Sequence, residues 1–151
     1  MTKSQITTFI RRFTKKTFLI KFVKPTKHFK RLKNFMAQAG LNKPLIEMLF
    51  NIPTKYNVIF INNREWEKAT TNYQKYTILH EIGHFMTTYN PNNQIQAEIN
   101  ATIWMINKTK HNKELYEIAL THTKDWQYYE WNSEHRKYRI AYKSLKQQGI
   151  I

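Results

Sequence analysis

The sequence predicts an α+β domain, mainly helical, with a small β-sheet and one helix built around a polar motif. Three observations carry that expectation. Apolar residues recur at three- and four-residue steps, the period of a helix with one buried face, as in Ile95, Ile99, Ile103 and Ile106. One run, "YNVIFIN" at 56–62, has instead the continuous or alternating apolar character of a buried strand. Finally, "HEIGH" at 80–84 interrupts the apolar run "YTILHEIGHFM", where polar side chains are costly unless something satisfies them.

With 151 residues, the chain is long enough for one domain to bury a core without disulfides or a structural metal. It contains no cysteine, which excludes a disulfide framework, a thiolate zinc finger, an iron–sulfur cluster and a cysteine nucleophile. Any metal must then be held by nitrogen and oxygen. No run approaches the ~18 apolar residues of a membrane span. "TFLIKFV" is short, contains Lys21 and lacks a small-residue cleavage site, so it is a poor signal peptide and a cytoplasmic protein is expected.

The formal net charge of +15 is unevenly placed. Residues 1–46 hold twelve Lys or Arg and no acid, whereas the rest of the chain holds thirteen basic and ten acidic residues. The organisation expected is a basic N-terminal extension, partly helical, over 1–46 and the main domain over 47–151, together one compact body. Such an extension suits contact with nucleic acid or an acidic protein, or a plain solvated surface. Its opening, "ITTFIRRF", places Ile6, Phe9, Ile10 and Phe13 at helical spacing, which also suits a membrane surface or a targeting role.

Further along, "KHFKRLKNFMAQA" at 27–39 has the helical period and stops at Gly40. "PLIEMLF" predicts a short helix with Pro44 in its first turn, and Pro53 ends that pattern before the strand. "NNREWEKATTN" reads as a loop or the approach to a helix. The central helix is expected from about Asn72 to Tyr89, stopped by Asn90-Pro91-Asn92-Asn93. Asn93 caps the next helix, Gln94 to Asn107, with Gln96 completing a capping box. "KELYEIALTH" makes another helix. A last one is expected over 126–148, with Tyr128, Trp131, His135, Tyr138, Tyr142 and Leu145 on a core-facing side.

The chemistry concentrates in the central helix. His80 and His84, four residues apart, lie about 40° from one another around the axis, so both imidazoles can reach one ion. Glu81 projects about 100° from His80 and is poorly placed as a ligand, but it can accept a proton from water beside the metal. Leu79, Ile82, Met86 and Tyr89 form the opposite, core-facing stripe. Gly83 costs a helix about 1 kcal/mol relative to alanine and is usually kept for close packing or access. A third ligand is expected from the next helix, where Gln96 and Glu98 stand about 200° apart and cannot both face the ion. A carboxylate is a normal zinc ligand and a neutral amide is not, which favours Glu98. His28, His111, His122 and His135 lack a comparable spacing partner and read as structural or surface residues.

Through "VIFIN" at 58–62, "YQKYTILHEIGHFM" at 73–86 and "EINATIWMI" at 98–106, the sequence resembles the ImmA/IrrE family of zinc metallopeptidases. The resemblance implies a zincin-like metallopeptidase domain over 47–151. It implies Zn2+ held by His80 and His84, with Glu81 as catalytic residue. It also implies a ligand at Glu98, since Ala101 and Trp104 complete that family's Glu-x-x-Ala pattern with its following aromatic residue. Thr102 stands where the family often has Asn or Asp, and a shifted register aligns Asn100 and puts Gln96 at the ligand position. The family's Leu-Met-Pro ending is replaced by "INKTK".

The function implied is that of a zinc-dependent endopeptidase acting on a protein substrate, such as a helix-turn-helix repressor of a phage or mobile element. An extended substrate is expected to add to the sheet edge near "VIFIN". The alternative reading is a non-catalytic module that binds a repressor or DNA through the basic N-terminal residues.

Overall fold

The structure is a computed structural model and describes residues 1–24, 32 and 35–151. They divide into two units, Met1–Glu81 and Ile82–Ile151, each with its own apolar core. As expected, the fold is mainly helical with a three-stranded sheet, and the His80-Glu81-His84 motif lies within a helix.

In the first unit, helix α1 (Lys3–Ile10) starts at a capping box. The Thr2 hydroxyl accepts from the Gln5 N–H at 3.2 Å, and the Gln5 side-chain oxygen accepts from the Thr2 N–H at 2.8 Å. Ile6, Phe9 and Ile10 are buried, and the helix lies against strand β1 (Phe18–Val23). The face that suited a membrane surface is therefore taken up by the core.

Strand β2 (Ala37–Gly40), helix α2 (Lys43–Phe50) and strand β3 (Asn57–Asn62) follow. The sheet order is β1-β3-β2; β3 runs parallel to β1, with Phe18 opposite Asn57, and antiparallel to β2, with Ala39 opposite Ile59. Every residue of β3 is buried, as a central strand requires. Two of the three strands thus come from residues 1–46.

Two expectations fail here. The helix over 27–39 falls partly outside the described residues, but its end, 37–39, is strand. Gly40 is no helix cap: a Cβ there would stand 2.6 Å from Ile46 Cδ1 and 2.9 Å from the Val58 carbonyl oxygen, so glycine lets β2 lie close to β3 and α2. "VIFIN" also has no open edge, because β3 is hydrogen-bonded on both sides; the outer strands are β1 and β2.

Asn62 ends the sheet and caps helix α3 (Asn63–Lys68), its side-chain oxygen accepting from the Glu65 N–H at 3.4 Å while Nδ2 donates to the Leu32 carbonyl at 2.6 Å. Helix α4 (Thr71–Met86) comes next. Its start is tied to the N-terminus by a closed ring of polar contacts. The Met1 amine donates to Gln74 Oε1 at 2.6 Å, Gln74 Nε2 to the Trp66 carbonyl at 2.8 Å, and Trp66 Nε1 to the Met1 carbonyl at 2.9 Å.

The second unit begins within α4 and continues with helix α5 (Gln94–Thr109), helix α6 (Lys113–Lys124), a 3₁₀ turn (Asp125–Tyr128) and helix α7 (Arg136–Gln147). Ile99, Trp126, Ala141 and Leu145 form its core, with Tyr138 and Tyr142 packed against them. Only half of the capping box expected at α5 forms. Asn93 Oδ1 accepts from the Gln96 N–H at 3.1 Å, but the Gln96 side chain donates to Asn100 Oδ1 at 2.8 Å instead of turning back.

The single helix expected over 126–148 is also interrupted. Asn132 Oδ1 accepts from the N–H groups of Glu134 and His135 at 3.0 and 2.8 Å, offering the backbone an alternative to helical bonds. Tyr138 and Leu145 keep their inward places, while Tyr128 and Trp131, at 78% and 62% exposure, do not join the core. No helix among the described residues is long and apolar enough to cross a membrane.

Candidate metal centre

Helix α4 does not divide into one buried and one open face. Ile78, Leu79 and Ile82 are fully buried, but so, nearly, are Thr77, His80 and His84; Tyr89 lies beyond the helix end and is exposed. The histidines are therefore held in apolar surroundings, where an imidazole must have its polar atoms satisfied. His80 also stacks on the Tyr76 ring, with centroids 6.2 Å apart and planes 26° from parallel.

One helical turn brings the chemistry together. His80, Glu81 and His84 each offer a ligand atom, and these atoms all lie within 4.8 Å of one another. Such a group can hold a metal ion. Glu81 is half-buried, and its Oε2 accepts a hydrogen bond from the Ala39 N–H of β2 at 2.7 Å.

The end of α4 meets α5 at backbone distance. A Cβ on Gly83 would fall 2.6 Å from the Ala101 carbonyl oxygen and 2.9 Å from Ala101 Cα, so only glycine permits this approach. The consequence appears one turn earlier on α5. Glu98 is 4% exposed, and its Oε2 lies 3.3 Å from His84 Nε2.

That spacing fits a shared ion: two ligand atoms about 2.0–2.1 Å from a tetrahedral zinc stand about 3.3–3.4 Å apart. Gln96, by contrast, is exposed and bonded to Asn100. Of the two candidates on α5, it is Glu98 that reaches His84.

Sequence reasoning missed two neighbours of these carboxylates. The Ala39 N–H on Glu81 is a backbone donor and leaves no trace in residue type. The second is Lys137, whose Nζ lies 3.0 Å from Glu98 Oε1. Here a signal was available: Lys137 begins an i, i+4, i+8 stripe with Ala141 and Leu145, both fully buried.

The remaining histidines do not gather at the motif in the described residues. His122 Nδ1 lies 3.6 Å from Asp125 Oδ2, His135 pairs with Asn132 at 3.0 Å, His111 is exposed, and His28 lies outside the described residues. No family model, curated protein or solved structure matches this chain.

Proposed function

We propose that this chain is a zinc metallopeptidase of the ImmA/IrrE type, in which His80, His84 and Glu98 hold Zn2+ and Glu81 is the catalytic base. The observation that carries the reading is the pair of imidazoles, His80 and His84, gathered with Glu81 on one turn of α4, with Glu98 Oε2 3.3 Å from His84 Nε2. Two imidazoles and a carboxylate, with no thiolate, are the donor set of a catalytic zinc site that keeps a position for water. When bound there, zinc polarises the scissile carbonyl and acidifies the attacking water.

The chain's own residues supply the rest. The Glu81 carboxylate, steadied at Oε2 by the Ala39 N–H, takes the proton from the attacking water and delivers it to the leaving amine. The same contact puts the outer edge of β2 beside the base. An extended substrate segment adds along that edge, in place of the β3 edge that "VIFIN" suggested. The protein substrate is a helix-turn-helix repressor of a phage or mobile element, as the resemblance implies, met in the cytoplasm where the sequence leads the chain to be expected.

A non-catalytic repressor- or DNA-binding module is the second reading. Its support is the exposed basic group Arg11, Arg12, Lys15 and Lys16 in a segment, 1–46, that has no acid.

Metal analysis and one substitution separate the two. Purified protein should carry stoichiometric zinc, and His84→Ala should lose it. Glu81→Gln should keep both zinc and fold but fail to cut a co-expressed helix-turn-helix repressor. Undiminished cutting by that variant would refute the base, and a wild-type chain with no zinc affinity would refute the metal.

A further inference from the structure

We infer that Lys137 is a positioning residue for the metal site: it holds Oε1 of Glu98 so that Oε2 alone is presented to the ion. The inference rests on the zinc reading above. Its geometric basis is the division of one carboxylate between two neighbours, Lys137 Nζ at 3.0 Å from Oε1 and His84 Nε2 at 3.3 Å from Oε2.

Burial makes the arrangement unusual for a lysine. The Lys137 side chain is 12% exposed and that of Glu98 6%, whereas lysine and glutamate are almost never withdrawn from water unless paired. The lysine comes from α7, whose Ala141 and Leu145 fill the core of the second unit, so the helix that carries it is held by packing. The ammonium also lies beside an aromatic ring, with Nζ 5.0 Å from the centroid of the Tyr138 ring.

A carboxylate can bind a metal through one oxygen or both. With an ammonium on Oε1, two-oxygen binding would draw the cation toward a like charge, so ligation is confined to Oε2. Groups that hydrogen-bond a metal ligand in this way fix its orientation. A plain structural ion pair would stabilise the fold without any effect on the metal, and that difference can be measured.

Lys137→Met keeps the stem and removes both charge and donor; Lys137→Gln keeps a donor. Two measurements on the full chain apply: zinc affinity by competition with a chromophoric chelator, and the visible spectrum of the cobalt(II)-loaded protein, which weakens as coordination rises from four to five. Lys137→Met should bind zinc about 10–100-fold more weakly with a weakened cobalt spectrum, and Lys137→Gln should stay within about threefold of wild type. Lys137→Thr, too short to reach Oε1, replaces the methionine variant if that one does not fold. Wild-type or tighter zinc affinity in the truncated variant, with an unchanged cobalt spectrum, overturns the inference alone. No zinc binding by the wild-type chain overturns it together with the proposed function.

Discussion

Glu98 is a buried acid with a histidine at one oxygen and a lysine at the other, so removing its charge should have two separable effects. Glu98→Gln should abolish stoichiometric zinc. It should also destabilise the metal-free protein by about 1–3 kcal/mol in chemical denaturation, because the buried Lys137 ammonium loses its counter-charge and keeps at most a neutral amide oxygen as acceptor. Thr102, one turn after Glu98, tests the opposite case: it is fully buried and its hydroxyl has no hydrogen-bond partner. Thr102→Val has nearly the same shape, and should leave stability unchanged or raise it by about 1 kcal/mol; a clear loss would show that the hydroxyl is bonded in solution. At this scale the sequence was legible wherever chemistry and spacing coincide. The clustering of His80, Glu81 and His84 follows from their offsets, and of the two acidic or amide candidates on α5 it is Glu98 that lies beside His84. Ala39 was not legible, because its contribution is a backbone N–H that every non-proline residue owns.

Contact between α4 and α5 depends on Gly83, and alanine there would drive a Cβ into the backbone of Ala101 rather than into a side chain able to rotate away. Gly83→Ala should therefore cost about 1–3 kcal/mol of stability despite the better helix propensity of alanine. It should also weaken zinc binding by parting His84 from Glu98; stability and zinc content at or above wild type would show that the helices do not approach so closely. Elements with their own signals were readable, as with Pro44 in the first turn of α2 and the buried run of β3. The end of α4 was not: the helix stops at Met86, short of the Asn90-Pro91 turn expected to end it. β2 was not, since "AQAG" has little intrinsic preference for a strand and owes that state to pairing with β3. The break at 129–135 was hidden for a similar reason, because a sustained three- and four-residue rhythm concealed one asparagine that competes for backbone donors. Since β1 belongs to the sheet, deleting residues 1–24 would remove a strand along with the charge, and substitutions at the exposed cations are the cleaner test of the basic segment.

Across the whole molecule, a net charge of +15 predicts retention on any polyanion at low salt, whatever the function. Replacing Arg11, Arg12, Lys15 and Lys16 with glutamine should lower the salt needed for elution from a DNA column, and repressor cleavage should survive if those cations serve only long-range attraction. Metal loading should behave differently. An ion that binds only the folded chain adds RT ln(1 + [Zn]/Kd) to its stability, about 2.7 kcal/mol at a hundredfold excess over Kd. For a chain of this size that corresponds to a rise of about 5–10 °C in Tm. Zinc should therefore raise the melting temperature of chelator-treated protein by that amount, a competing chelator should reverse it, and Glu81→Gln should show the full rise because it keeps the three proposed ligands. His84→Ala should show none. If the His84→Ala chain gained as much as wild type, the stabilising ion would be held by other donors, such as the surface histidines, and α4 would not be a metal-binding helix.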